Sequence, residues 1–151
     1  MSKTRMLTAL TGAIALSFVL SACSPVVSLE AADSANDPAC ADVTVRLPDT
    51  VDGLASRTTN AQATGAWGTP AAVLLRCGLA PVEVSTLKCV TEAGVDWLID
   101  DSKAPTYRFI TFARTPAIEV VVDSTKAAGV NVLDDLAPAV SQIAATDRCV
   151  G

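Results

Sequence analysis

Apolar positions along this chain change period twice, and each regime marks a different kind of element. Met6 to Leu20 is a continuous apolar run behind Lys3 and Arg5. From Cys40 onward the pattern breaks into short segments. Asp42-Val43-Thr44-Val45-Arg46-Leu47 alternates as a strand does until Pro48 stops it, with a short helix as the rival reading. Asp52-Gly53 and the polar run Ser56 to Thr64 read as a long irregular connection, ending at Gly65-Ala66-Trp67-Gly68. Ala72 to Cys77 is a compact apolar run closed by Gly78, as in a buried strand. Thr86 to Thr91 and Val95 to Ile99 flank Glu92-Ala93-Gly94 and read as a hairpin. Val95, Trp97 and Ile99 then share one face, with Asp96 and Asp100 on the other. Tyr107 to Phe112 and Ile118 to Val122 form a second hairpin around Thr115-Pro116.

After Val122 the period lengthens. Leu133, Leu136, Val140 and Ile143 recur at helical spacing, with Asn131 or an aspartate as N-cap. A start as late as Asp135 would put Pro138 in the first turn, where its missing N–H costs little. The pattern predicts an α+β domain: an antiparallel sheet of about four to five strands with a C-terminal helix packed on one face. No repeat and no second domain is visible.

The N-terminal run has the layout of a secretory signal: two basic residues, an apolar core, then small residues. It falls short of the ~20 residues that span a bilayer. Leu20-Ser21-Ala22-Cys23 resembles the lipobox of bacterial lipoproteins. That resemblance implies cleavage between Ala22 and Cys23 and a diacylglyceryl group on the Cys23 thiol. Two acyl chains, at about 0.8 kcal/mol per buried methylene, cross from marginal into stable anchoring. The expected organisation is a signal peptide over residues 1–22, a flexible tether over 23–38 and one globular domain over 39–151.

Composition narrows the chemistry. There is no histidine, which removes His-dependent triads, imidazole acid–base catalysis and most zinc or copper sites. The net charge of −5 becomes more negative once Lys3 and Arg5 leave with the signal. An acidic domain has no electrostatic footprint for nucleic acid. Setting Cys23 aside, four of the five cysteines remain: Cys40, Cys77, Cys89 and Cys149. An even number in an exported chain reads as structural disulfides, and no C-x-x-C spacing supports a metal site. Four cysteines allow three pairings, and loop-closure entropy does not choose between them.

The lipobox, the Cys40 to Pro48 segment, Trp67-Gly68, Leu75-Arg76-Cys77-Gly78 and Gly94-Val95-Asp96-Trp97 follow one another in order. Together they resemble the family of actinobacterial lipoproteins known as domain of unknown function 3515, in its mycobacterial form. The resemblance covers essentially the whole mature chain. It implies the pairing of Cys40 with Cys77 and of Cys89 with Cys149, and it implies no activity.

Few residues stand out as a site. Asp96, Asp100 and Asp101 around Trp97 could hold a Ca²⁺ ion or a cationic ligand beside an aromatic platform. The bland reading is a solvated strand face with Trp97 in the core, and it is favoured, because the spacing lacks the features of a calcium loop. Arg76, between Leu75 and Cys77, could recognise an anion, although pairing with an aspartate is the better reading. Arg108 and Arg114 are expected to blunt an edge strand, and Trp67 to pack in a corner. No nucleophile, catalytic residue, metal or cofactor is expected. The sequence reads as an envelope lipoprotein on the outer face of the cell membrane, a non-enzymatic binding or accessory module with an envelope protein or cell-wall partner. The alternative is a small-molecule or lipid carrier with a pocket under the sheet.

Overall fold

A computed structural model of the chain describes residues 25–149. Cys23, where a lipid is expected, and the expected cleavage site after Ala22 lie outside the described residues. The first element is a helix, α1 (Pro38–Thr44). Asp37 caps it by accepting the Ala39 N–H at 2.8 Å, and Pro38 opens the first turn, where its missing N–H costs nothing. Burial decides between the two readings of this segment. A strand would put Val43 and Val45 on the same face and bury both; here Cys40 and Val43, three apart, are buried, and Val45 is 77% exposed.

Eight strands follow among the described residues, not four to five: β1 (Thr50–Val51), β2 (Leu54–Arg57), β3 (Thr64–Trp67), β4 (Val73–Leu79), β5 (Lys88–Glu92), β6 (Val95–Lys103), β7 (Thr106–Thr111) and β8 (Ala117–Asp123). They form one sheet in the order β1-β2-β3-β4-β8-β7-β6-β5, with every neighbouring pair antiparallel. The expected irregular connection shrinks to the residues between β2 and β3. Polar residues there hid the strands, since β2 has one half-exposed face and β3 is short. Both expected hairpins are present. Ala93 and Gly94 both take positive φ (47° and 79°), the two-residue turn whose twist suits a hairpin.

The last helix, α2 (Gly129–Val140), begins earlier than expected, and neither Asn131 nor an aspartate of its own caps it. The cap comes from the β1–β2 turn instead. Asp52 Oδ2 accepts the Ala128 N–H at 2.7 Å and Oδ1 accepts from Asn131 Nδ2 at 2.8 Å. Asp135 returns the contact by accepting the Asp52 N–H at 2.7 Å. Pro138 therefore sits in the last turn, on the exposed side.

Helices α1 and α2 cover one face of the sheet. Between them lies the core: Val73, Leu75, Ile118, Val120, Val122, Trp67 and Trp97 from the sheet meet Val132, Leu136 and Val140 from α2. Disulfides tie Cys40 to Cys77 and Cys89 to Cys149, with Cα separations of 5.6 and 5.9 Å. The first joins α1 to the middle of the sheet. The second fixes the C-terminal segment to edge strand β5.

The opposite, outer face is covered by chain rather than by helix. The crossover from β4 to β5 lays Val82 and Leu87 over Leu98 and Ile110. Residues 25–37 do not form a free tether. Val27 donates to Thr58 O at 2.9 Å, Leu29 N–H donates to Asn60 Oδ1 at 2.8 Å, and Ser34 N–H donates to Gly78 O at 3.0 Å. Gly78, at φ 110° beside an irregularity in β4, lets this strap approach; a Cβ there would fall 2.6 Å from the Ser34 carbonyl carbon.

Candidate functional site

The outer face carries one concentrated set of charges. Alternation puts Arg76 (β4), Glu119 (β8) and Arg108 (β7) on that side, because their neighbours Leu75, Val120 and Phe109 fill the core. Register places Arg76 directly opposite Glu119, with Arg108 on the next strand. Arg76 grips Glu119 Oε2 through Nη2 at 2.6 Å and Nε at 3.2 Å; Arg108 Nε donates to Oε1 at 2.6 Å. The Glu119 side chain is 10% exposed, whereas the arginines are 36% and 38% exposed. Burial alone would raise the Glu119 pKa, but the hydrogen bonds and positive charges of the two arginines outweigh it. The carboxyl is held below its ordinary value.

Within the Arg76–Glu119–Arg108 cluster two cations meet one anion, and Glu30 and Asp33 bring two further carboxylates to the cleft that the arginines border. Arg108 Nη1 and Nη2 and Arg76 Nη1 have no acceptor among the described residues. These groups border a cleft of about 470 Å³ between the strap (Glu30 to Asp33) and the start of the crossover (Leu79, Ala80, Val82). A smaller apolar crevice of about 130 Å³ runs on from Arg76 beneath Leu29, against Leu74 and Val121. Guanidinium forks beside a low-polarity wall suit a carboxylate or phosphate group.

The other residues singled out from sequence are not brought together. Trp97 is fully buried and offers no platform. Asp96 is buried on the outer side, accepting from Thr91 Oγ1 at 2.5 Å and from the Cys149 N–H at 3.0 Å. Asp100 accepts the Ser102 N–H at 3.0 Å at the far end of β6, and Asp101 is exposed. No group of three metal-type ligands occurs among the described residues. Arg76 does reach the opposite face, but its partner is a glutamate rather than an aspartate. Arg108 and Arg114 do not guard an edge: β7 and β8 are interior strands, and the edges are β1 and β5. Arg114 is instead 5% exposed and donates through Nη1 to the Ile143 carbonyl, while desolvation lowers its pKa. Trp67 is a packed corner, its Nε1 donating to Pro48 O at 3.0 Å.

Of this cluster, sequence reading passes over Glu119 and assigns Arg108 to an edge strand. A signal was present. One acid in Ile118 to Val122 and one cation in Ala72 to Cys77 sit in apolar central strands, and buried charges need partners. The inner face also holds an apolar groove of about 330 Å³, where Tyr107 and Phe109 stack with centroids 6.5 Å apart beyond the start of α2.

The arrangement defines a disulfide-bonded α+β domain with an arginine-bordered, mixed-charge cleft on the sheet face away from its helices. The chain belongs to the family described as "Protein of unknown function (DUF3515)", whose profile matches residues 4–148. No curated protein and no solved structure matches it.

Proposed function

We propose that this protein is an exported lipoprotein, held on the outer face of the cell membrane by a diacylglyceryl group on Cys23. Its domain serves as a non-enzymatic binding or accessory module of the envelope. The cleft beside Arg76 and Arg108 takes a carboxylate or phosphate group of an envelope component. The observation that carries this reading is the set of Arg76 and Arg108 guanidinium N–H groups left without an acceptor among the described residues, on the wall of a cleft that Glu30 and Asp33 also line, while Glu119 is already saturated. Held ionised between two arginines, Glu119 is poorly suited to general-acid work, which supports binding over catalysis. The two disulfides suit an oxidising compartment, consistent with export.

The test of the cleft is a titration of the oxidised protein with inorganic phosphate and with acetate, followed by NMR at the arginine Nε–H groups. Saturable shifts at Arg76 and Arg108, abolished in Arg108→Gln, support the reading. Shifts confined to other residues, or none, sink it. A second reading, small-molecule or lipid carriage, rests on the Tyr107–Phe109 groove. It would gain if a fatty-acid probe shifted Phe109 and left Arg108 unmoved.

A further inference from the structure

The strap changes the geometry of anchoring. If residues 23–38 were free, sixteen residues of flexible chain would let the domain drift about 22 Å from its anchor. The chain is instead captured at Pro25. Arg57 Nη2 donates to the Pro25 carbonyl at 2.6 Å, and its Nη1 donates to Gly68 O at 2.8 Å, so the guanidinium ties the strap to the β2–β3 end of the sheet. Val27 pairs with Thr59 as a parallel bridge; Asn60 bonds both Leu29 N–H and Ser28 Oγ. Only two residue steps separate Cys23 from Pro25, which span at most about 7 Å. Val26, next along, is 55% exposed, an apolar side chain beside the anchor.

We infer that the β1–β3 edge of the domain, around Pro25, Val26, Arg57 and Asn60, sits directly against the lipid headgroups, and that the bilayer surface is the partner of this face. The inference rests on lipidation of Cys23. The far side of the sheet points away: β6 is five strand spacings from β2, about 24 Å. The domain therefore stands edge-on at the membrane rather than swinging on a leash.

The test uses full-length protein processed in a lipoprotein-competent bacterium and reconstituted in phosphatidylcholine vesicles that carry a headgroup quencher. One preparation bears a fluorophore at Thr58→Cys beside the strap, another at Lys103→Cys on β6. Intact mass on the same samples reports the lipid. Quenching several-fold stronger at position 58 than at 103 is the expected result. Inserting about twelve Gly/Ser residues after Ser24 should abolish the difference, since the longer leash frees the domain by roughly 20 Å. Equal quenching at the two positions in lipidated protein would overturn the inference, as would a difference that survives the insertion. Protein with no lipid on Cys23 would instead remove the anchoring reading on which it stands.

Discussion

Replacing Glu119 by Gln keeps the shape of the side chain and removes its charge, so it isolates what the outer-face cluster contributes. The carboxylate receives three N–H···O contacts from two guanidinium groups, and its own side chain is 10% exposed. Breaking a buried pair costs about 3–5 kcal/mol. A fully exposed pair is worth about 0.2–1 kcal/mol. The arginines are more than a third exposed and keep water, so the loss should fall between these limits, at about 2 kcal/mol. Part of it is the repulsion of two guanidinium groups left facing each other without an anion. For a domain of this size, about 4 °C per kcal/mol gives a Tm about 8 °C lower at pH 7. The pH dependence has a definite sign. The folded Glu119 pKa lies below its unfolded value of about 4.3, so its stabilisation is fully present above that value. It is lost as pH falls through the folded pKa. Thermal melts of Glu119→Gln against wild type should differ by a constant amount from pH 8 to pH 5.5 and converge in acid. Glu83→Gln, in the exposed crossover, serves as the control and should stay within about 0.5 kcal/mol. A Glu119→Gln effect no larger than the control, or one that grows as pH falls, would refute the reasoning.

Asp52→Ala should cost about 1 kcal/mol and speed amide exchange at Ala128, because α2 has no side-chain cap of its own. Asp52→Asn should recover most of the stability. Double replacement of Cys40 and Cys77 by Ala should cost about 4 kcal/mol in denaturant melts, from the chain entropy of a loop of this length; unchanged stability would show that the bond is not formed. Val43→Thr should cost more than 1 kcal/mol while Val45→Thr stays within about 0.5 kcal/mol, the order set by helical rather than strand burial. Millimolar Ca²⁺ should leave the Tm unmoved, since Asp96, Asp100 and Asp101 point to different surroundings.

Those parts of the fold that depend on local chemistry were legible in the sequence. Alternation in Val95 to Ile99 and in Ile118 to Val122 marked both hairpins, and the helical spacing of Leu133, Leu136 and Val140 marked α2. The turn residues Ala93 and Gly94 fell where the chain reverses. What could not be read was set by contacts distant in sequence. Strands β1 and β2 are two and four residues long and gain order from β3 rather than from their own pattern. The cap of α2 lies 76 residues upstream at Asp52. The segment from Pro25 to Asp37 has no periodicity because its backbone, not its side chains, makes most of its bonds to the domain. At the candidate site, Arg76 was visible as a misfit in an apolar run. Its partner could not be chosen until the β4–β8 register put Glu119 across from it. The α1 segment shows the opposite error: Asp37-Pro38 is a helix-start signal, and it lay just outside the stretch whose alternation suggested a strand.

Intact-mass and N-terminal analysis of the protein recovered from membranes of a lipoprotein-processing bacterium tests the central claim most directly. The account predicts a mature chain that begins at Cys23, carries a diacylglyceryl group and is four hydrogens lighter than its reduced form, through the Cys40–Cys77 and Cys89–Cys149 bonds. A chain with residues 1–22 still attached, an unmodified Cys23, or free thiols at Cys77 or Cys89 would contradict it.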